Sequence, residues 1–171
     1  MTITKRIDIN KSADQVWSLL ADDFDKVYEW MSPVYRSYEI ENEEAIDGAS
    51  MAGRICEFTP EAGGFHAEER ITNIDASKMQ LTIEVIPINA PKALPMVKNI
   101  LELSVRELGE DKSEVIWTTH PELKTVGQIM KPLVKAGLSK TFGDLLGELK
   151  HFVENGEQHP RKAKKMAKVA A

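Results

Sequence analysis

The sequence predicts an α+β fold in which helices cover one side of an antiparallel sheet, and two observations support this class. Between about Val34 and Val115, apolar and polar residues alternate in short runs separated by turn residues, as they do in strands. Between Pro132 and Asn155, the large apolar residues instead recur every three or four positions, as they do on one stripe of a helix. A run of strands followed by one long amphipathic helix is typical of a sheet covered by that helix.

The stripe of this C-terminal helix is the strongest single pattern in the chain. Its six large apolar residues are Val134, Leu138, Phe142, Leu145, Leu149 and Phe152. Pro132 is tolerated at the start because the first N–H groups of a helix have no intrahelical partner, and Asn155-Gly156 supplies a stop. Burying six such side chains contributes roughly 10 kcal/mol before entropy, so the stripe requires a broad apolar partner.

The N-terminal third predicts one strand and two short helices. Residues 2–10 alternate weakly and are expected to form the first strand. Ser12 and Gln15 are spaced as a capping box, which predicts a helix over the residues that follow Ser12. A second short helix is expected to begin near Asp22 and to end before Pro33.

Composition favours one domain over residues 1–155, followed by a basic tail over residues 156–171. A chain of 171 residues that is 42% hydrophobic suits a single core. The net charge of the chain is −5, and the tail has five basic residues and one acid. The body is therefore more negatively charged than the whole chain. An acidic body argues against nucleic-acid binding. The tail is predicted to be flexible and solvated, with contact to phosphates or lipid head groups as the alternative.

Several signals point to a cytoplasmic protein without a cofactor. The apolar runs are far shorter than a membrane span, so stable membrane insertion is not expected. The first ten residues lack the apolar segment of a signal peptide, and the single cysteine, Cys56, cannot form an internal disulfide. Phosphate-loop, dinucleotide, HxxxH and CxxC patterns do not occur, so neither a metal site nor a cofactor is expected.

Seven short segments, in a fixed order between Ile7 and Val153, carry a family resemblance. They are Ser12–Trp17, Tyr28–Val34, Gly53-Arg54, Glu69–Ile71 with Asp75, Leu94-Pro95, Glu114–Trp117 and Gly137-Leu138. In this order and spacing they resemble the START/Bet v 1-like superfamily, also called SRPBCC. Within it, the chain is most similar to the polyketide cyclase/dehydrase and lipid-transport branch.

The resemblance implies a helix-grip fold. In this fold a seven-stranded antiparallel sheet wraps around the long C-terminal helix, and two short helices after the first strand close one end. It also implies a cavity for a small hydrophobic ligand, such as a lipid or polyketide, with the proline-rich loop of residues 87–95 as a gate over its mouth. A monomer or a homodimer is expected. The superfamily shares no catalytic motif, so the resemblance alone implies no reaction.

Glu69 is the main candidate for chemistry in such a cavity. If Phe65, Ala67 and Ile71 face inward, strand alternation places Glu69 inward as well. The resemblance matches it with a pocket-facing glutamate of the abscisic-acid receptor branch. A carboxylate there could bind a ligand hydroxyl or act as a catalytic base. The alternative is a buried, silent ion pair with Arg54, whose planar guanidinium could otherwise anchor a ligand carboxylate.

The remaining candidate site residues are apolar, and they either line the cavity or fill it. They are Ile55, Leu81, Ile83, Leu101, Leu103, Trp117, Met130, Leu138 and Phe142. Three functions therefore stay open. The favoured one is enclosure of a small hydrophobic or amphipathic ligand that Glu69 or Arg54 orients. The second is a polyketide cyclase or dehydratase in which Glu69 moves protons, and the third is an interaction module whose cavity is filled.

Overall fold

Over residues 1–170, a computed structural model has seven strands and four α-helices. From β1 to the long C-terminal helix the order is the predicted one, with a 3-10 helix as the second short helix, whereas the last helix was not predicted. The strands are β1 (Ile3–Ile9), β2 (Arg36–Glu39), β3 (Gly53–Glu57), β4 (His66–Asp75), β5 (Gln80–Ile88), β6 (Met96–Gly109) and β7 (Lys112–Leu123). The helices are α1 (Ala13–Ala21), α2 (Thr125–Ile129), α3 (Lys131–Asn155) and α4 (Pro160–Ala170), with 3-10 helices at Phe24–Glu29 and Ala76–Lys78. Ser12 caps α1 at the predicted position, where its Oγ accepts the N–H of Gln15 at 3.3 Å. The reciprocal bond of a full capping box is replaced by one from Ser12 Oγ to Oε1 of Gln15 at 3.2 Å.

All seven strands belong to one antiparallel sheet with the order β1-β7-β6-β5-β4-β3-β2. Strands β2 to β7 follow one another in space as in sequence, while β1 pairs with β7 and places Ile3 opposite Thr119. The register shifts within β4, between Ile71 and Asn73, and near both ends of β6. Such irregularities bend and twist a sheet, which is what wrapping around a helix requires. The helix-grip fold is therefore confirmed.

The inner face of the sheet is apolar because the register aligns apolar residues of successive strands. Ile83 lies opposite Ile71 on β4 and opposite Leu101 on β6. In the next row, Leu103 lies opposite Trp117. These side chains are buried in one cluster, and this cluster is the broad apolar partner that the helical stripe requires.

Helix α3 packs closely on this face only through its C-terminal half. Leu145, Leu146 and Leu149 are buried in the same cluster as the sheet residues. Between residues 131 and 144 no side chain is buried, although Phe142 is partly covered and its ring centroid lies 5.8 Å from that of Trp117. The predicted single helix is confirmed, but the first half of its apolar stripe stays partly open.

Helix α2 is fixed to the loop that precedes β6. The N–H of Lys124 donates to the carbonyl oxygen of Pro95 at 2.9 Å. A Cβ at Gly127 would lie 2.7 Å from that same oxygen and 3.2 Å from Leu123 Cβ, so the approach requires glycine. Thr125 and Gln128 are spaced as a second capping box in the sequence, but none forms, because Lys124 is the N-cap residue and no side chain bonds there.

The residues after Asn155 correct the expectation of a flexible, solvated tail. Over residues 160–170 they form α4, which contacts the turn before β2. Lys162, only 1% exposed, donates to the carbonyl oxygen of Val34, and Lys165 donates to that of Pro33 at 2.9 Å. Lysine can bury its methylene stem while its Nζ reaches a polar partner, so a basic segment packs here without an apolar stripe. The final residue lies outside the described part of the chain.

Truncation of Leu145 tests the contact between α3 and the sheet. Leu145→Ala should lower the free energy of unfolding by about 2–5 kcal/mol, because it leaves a cavity in a packed core. Leu133→Ala is the matched control on the same helix, since Leu133 is 65% exposed and Leu145 is 7% exposed. Urea unfolding measures both variants. Equal losses in the two would contradict the packing described here.

Candidate functional site

Arg54 and Glu69, the two predicted polar site residues, form a buried ion pair on the inner face. Glu69 Oε2 lies 2.6 Å from Arg54 Nη2 and 2.8 Å from its Nε. The guanidinium also donates through Nη1 to the carbonyl oxygen of Phe24 at 2.5 Å. Its carbon lies 3.8 Å from the centroid of the Phe24 ring, close enough for a cation–π interaction. These contacts engage the guanidinium and one oxygen, Oε2, of the carboxylate.

The charges around this pair are strongly coupled. Burial lowers the pKa of Arg54, but the Glu69 carboxylate and Cys56 outweigh burial, so the pKa lies above its ordinary value. Burial also raises the pKa of the Cys56 thiol, and Glu69 adds to that rise. A fully buried, protonated thiol is not a nucleophile. The geometry favours an ion pair with a structural role only, and ligand contact by Arg54 or Glu69 stays a prediction.

The five predicted lining residues of the central strands are packed against α3. They are Leu81, Ile83, Leu101, Leu103 and Trp117, all buried in one cluster with Leu145 and Leu149. On their other side, between three of them and the 3-10 helix at Phe24–Glu29, a space of only about 10 Å³ remains next to Arg54, which is room for about one water molecule. Between the sheet and the C-terminal half of α3, these side chains therefore fill the interior.

The other predicted lining residues lie at the edges of this packed centre. Ile55 lies on the opposite face of β3 from Arg54, because successive side chains of a strand alternate. Leu138 and Phe142 are partly buried on the first half of α3. Met130 is exposed at the break between α2 and α3. The structure therefore does not bring these four residues into one cavity.

An apolar pocket of about 360 Å³ lies on the inner face beyond the ion pair. Its lining consists of Pro33, Phe58, Phe65, Ala67, Val85, Pro87, Leu94, Met96 and Lys165. Val85 lies opposite Glu69, and Pro87 lies opposite Ala67, so the pocket continues the inward-facing rows past the ion pair. The rings of Phe58 and Phe65, with centroids 4.7 Å apart, form one wall.

Strand alternation contains the signal for most of this pocket. One two-residue step along β5 leads from Ile83 to Val85, and one step back along β4 leads from Glu69 to Ala67. Phe65 and Ala67 are expected from the sequence to face inward, and residues 87–95 to lie at the cavity mouth, but Val85 and Met96 are not among the predicted lining residues. Lys165 had no comparable signal, because nothing in a basic C-terminal segment indicates that one of its lysines lines a pocket.

A second space, the polar cleft, lies on the other side of the α4 contact. Its volume is about 310 Å³, and its lining is Ser32, Pro33, Thr141, Asp144, Leu145, Glu148, Arg161 and Lys165. Glu148 is fully buried on α3, where it accepts the N–H of Ser32 at 2.8 Å and Nη1 of Arg161 at 2.7 Å. Pro33 and Lys165 line both spaces, so α4 forms part of the wall of the apolar pocket.

Two further observations limit the chemistry of the described residues. Within residues 1–170, no group of three or more His, Cys, Asp and Glu side chains is arranged to hold a metal ion. No helix in that part of the chain is both long enough and apolar enough to cross a bilayer.

Comparison with known proteins identifies the family. A family described as "Polyketide cyclase / dehydrase and lipid transport" matches residues 1–154. The chain belongs to this family. A search of curated proteins finds no match.

Solved structures share the fold at low sequence identity. A START superfamily protein from Mycobacterium smegmatis is 15% identical with a TM-score of 0.69, and the match covers 90% of this chain and 97% of that one. A point mutant of norcoclaurine synthase from Thalictrum flavum is 17% identical with a TM-score of 0.61, covering 90% and 93%. The di-domain ARO/CYC protein BexL of the BE-7585A biosynthetic pathway is 12% identical with a TM-score of 0.70, covering 90% and 46%. These likenesses confirm a START/Bet v 1-like fold.

The charge of Lys162 makes the docking of α4 dependent on pH. Burial lowers the pKa of Lys162 from its ordinary 10.5 to about 8; neighbouring Lys165 lowers it further, and Glu148 opposes the shift. Between these two values the unfolded chain holds the proton and the folded chain does not, so stability rises with pH. Relative to Lys162→Met, the wild type should gain up to about 3 kcal/mol from pH 7.5 to pH 10.5.

Urea unfolding at a series of pH values measures this gain. Lys168→Met is the matched control, because Lys168 is exposed on the same helix. The wild type and this control should show the same pH dependence. A wild type and a Lys162→Met variant that differ by a constant amount across this range would refute the docking of Lys162.

Replacement of Glu69 distinguishes a structural pair from a ligand contact. Glu69→Gln keeps the shape but leaves the buried Arg54 charge without its carboxylate, so unfolding should become easier by about 3 kcal/mol in urea. The double variant Arg54→Met/Glu69→Leu, which removes both charges, should recover part of this loss. A loss below about 1 kcal/mol together with up to tenfold weaker ligand binding would instead support ligand orientation by Glu69.

Proposed function

We propose that the protein binds a small hydrophobic or amphipathic ligand in the apolar pocket. The observation that carries this proposal is the pocket itself, in which eight of the nine lining residues are apolar. Its volume of about 360 Å³ falls in the usual range of small-molecule sites, roughly 300–1,000 Å³. Membership of a family whose description includes lipid transport supports the same class of ligand.

The lining gives such a ligand an orientation. Its apolar body would lie against Phe58, Val85 and Met96, and its polar end would lie toward Lys165, the single ionisable residue of the lining. A lysine Nζ has three N–H donors, and the bond to Pro33 uses one of them. Lys165 also borders the polar cleft, so a polar end could extend there. These features favour an amphipathic ligand over a fully apolar one.

The two alternatives have less support. A cyclase or dehydratase would need two polar groups that converge on the substrate, and among the nine lining residues only Lys165 can titrate. An interaction module with a filled cavity would account for the packed centre under α3 but not for the apolar pocket. A cytoplasmic location and a monomeric or homodimeric state remain predictions.

A pocket-filling substitution tests the proposal. Val85→Phe adds volume inside the pocket, whereas the matched control Val97→Phe adds the same volume on an exposed position of β6. The probe is 11-(dansylamino)undecanoic acid, followed by its fluorescence. Its Kd should rise about tenfold or more in Val85→Phe, because the apolar body loses its space, and should be nearly unchanged in the control.

Two results would contradict the proposal. One is unchanged probe binding in Val85→Phe. The other is a wild type that neither binds the probe nor carries a small molecule in native mass spectrometry after expression in its own host. The mass of a bound molecule would also identify the ligand.

A further inference from the structure

Four large apolar side chains extend into solvent where α2 meets α3. Val126 is 59% exposed, Ile129 79%, Met130 47% and Leu133 65%. Ten large apolar residues of the described chain are exposed, and these four fall within eight consecutive positions. Scattered exposed apolar residues need no explanation, but a cluster marks a surface that binds something. We call this cluster the α2–α3 surface.

Within the segment that carries the α2–α3 surface the charged residues are all positive, and exposed Glu122 lies just before it on β7. From Lys124 to Gly143 the chain has four lysines and no acidic residue. Lys124, Lys131 and Lys135 are exposed beside the apolar cluster. The loop of residues 89–95, on which α2 rests, contains a lysine and no acid. The chain as a whole is acidic, with a net charge of −5, so this basic region is a local feature.

We propose that the α2–α3 surface docks on a lipid bilayer that contains anionic head groups. An exposed apolar face flanked by lysines is typical of helices that lie in the head-group region. Each basic residue near an anionic membrane adds electrostatic attraction. A second copy of the chain fits less well, because a two-fold interface places the same patch on both subunits and would bring the lysines together.

The α2–α3 surface adjoins the mouth of the apolar pocket. Lys124 and Gly127 hold α2 against Pro95, and the residues on either side of Pro95, Leu94 and Met96, line the pocket. An apolar ligand could therefore move between a docked bilayer and the pocket without crossing water. This transfer rests on the proposed ligand function, whereas the docking itself does not.

Vesicle co-sedimentation of the full chain tests the docking. The wild type should bind vesicles of mixed phosphatidylcholine and phosphatidylglycerol at least about tenfold more tightly than vesicles of phosphatidylcholine alone, and high salt should weaken the binding. Ile129→Asp/Leu133→Asp should reduce binding about tenfold or more, because both apolar anchors become charged. Leu108→Asp is the matched control, since Leu108 is exposed at the far end of β6, and it should bind like the wild type.

A second variant and a second measurement keep the outcome decisive. Lys131→Glu/Lys135→Glu should weaken binding to the anionic vesicles while the apolar anchors remain. The dansyl probe, without vesicles, should bind all these variants like the wild type, which also shows that they are folded. Lost probe binding in the wild type with intact vesicle binding would refute the pocket function and leave the docking in place.

Three results would overturn the docking. The first is a wild type that does not bind the anionic vesicles. The second is an equal loss of binding in Leu108→Asp and in Ile129→Asp/Leu133→Asp. The third is a wild type that forms a dimer in light scattering and does not bind vesicles, together with α2–α3 variants that are monomeric. This last result would assign the surface to a second copy of the chain.

Discussion

The contact between the C-terminal half of α3 and the centre of the sheet determines the rest of the structure. Leu145 and Leu149 pack against the rows of apolar residues that the strand register creates. Because α3 is fixed at this end, its first half and α2 extend beyond the packed centre. The far end of the inner face is then not covered by α3, and the apolar pocket occupies that place, with α4 at one wall.

Two polar contacts set the limits of this pocket. On the inner side, the Arg54–Glu69 pair separates the pocket from the packed core, and its cost of burial is offset by the bonds to Phe24 and by the Phe24 ring. On the outer side, Lys165 of α4 binds the carbonyl oxygen of Pro33 and closes one wall. In each case a charged group lies beside apolar surface because it has a specific partner.

The fold was readable from the sequence, but only part of the candidate site was. The spacing around Leu145 and the alternation along β5 each obey a simple period, so element type and order followed directly. Whether Ile83 lines a cavity or fills one depends on how far α3 lies from the sheet, which no local period encodes. The burial of Lys162 could not be predicted for another reason. Its partner is the carbonyl oxygen of Val34, and every residue carries such a backbone atom.

The close approach of Gly127 to Pro95 has a mechanical consequence. With no side chain between them, α2 and the loop of residues 89–95 meet backbone to backbone at Pro95, where the N–H of Lys124 also donates to the Pro95 carbonyl oxygen. A force applied to α2 is therefore transmitted to Leu94 and Met96, the pocket residues that flank Pro95. A methyl group at position 127 would push the two segments apart, and the rim of the pocket would no longer be held against α2.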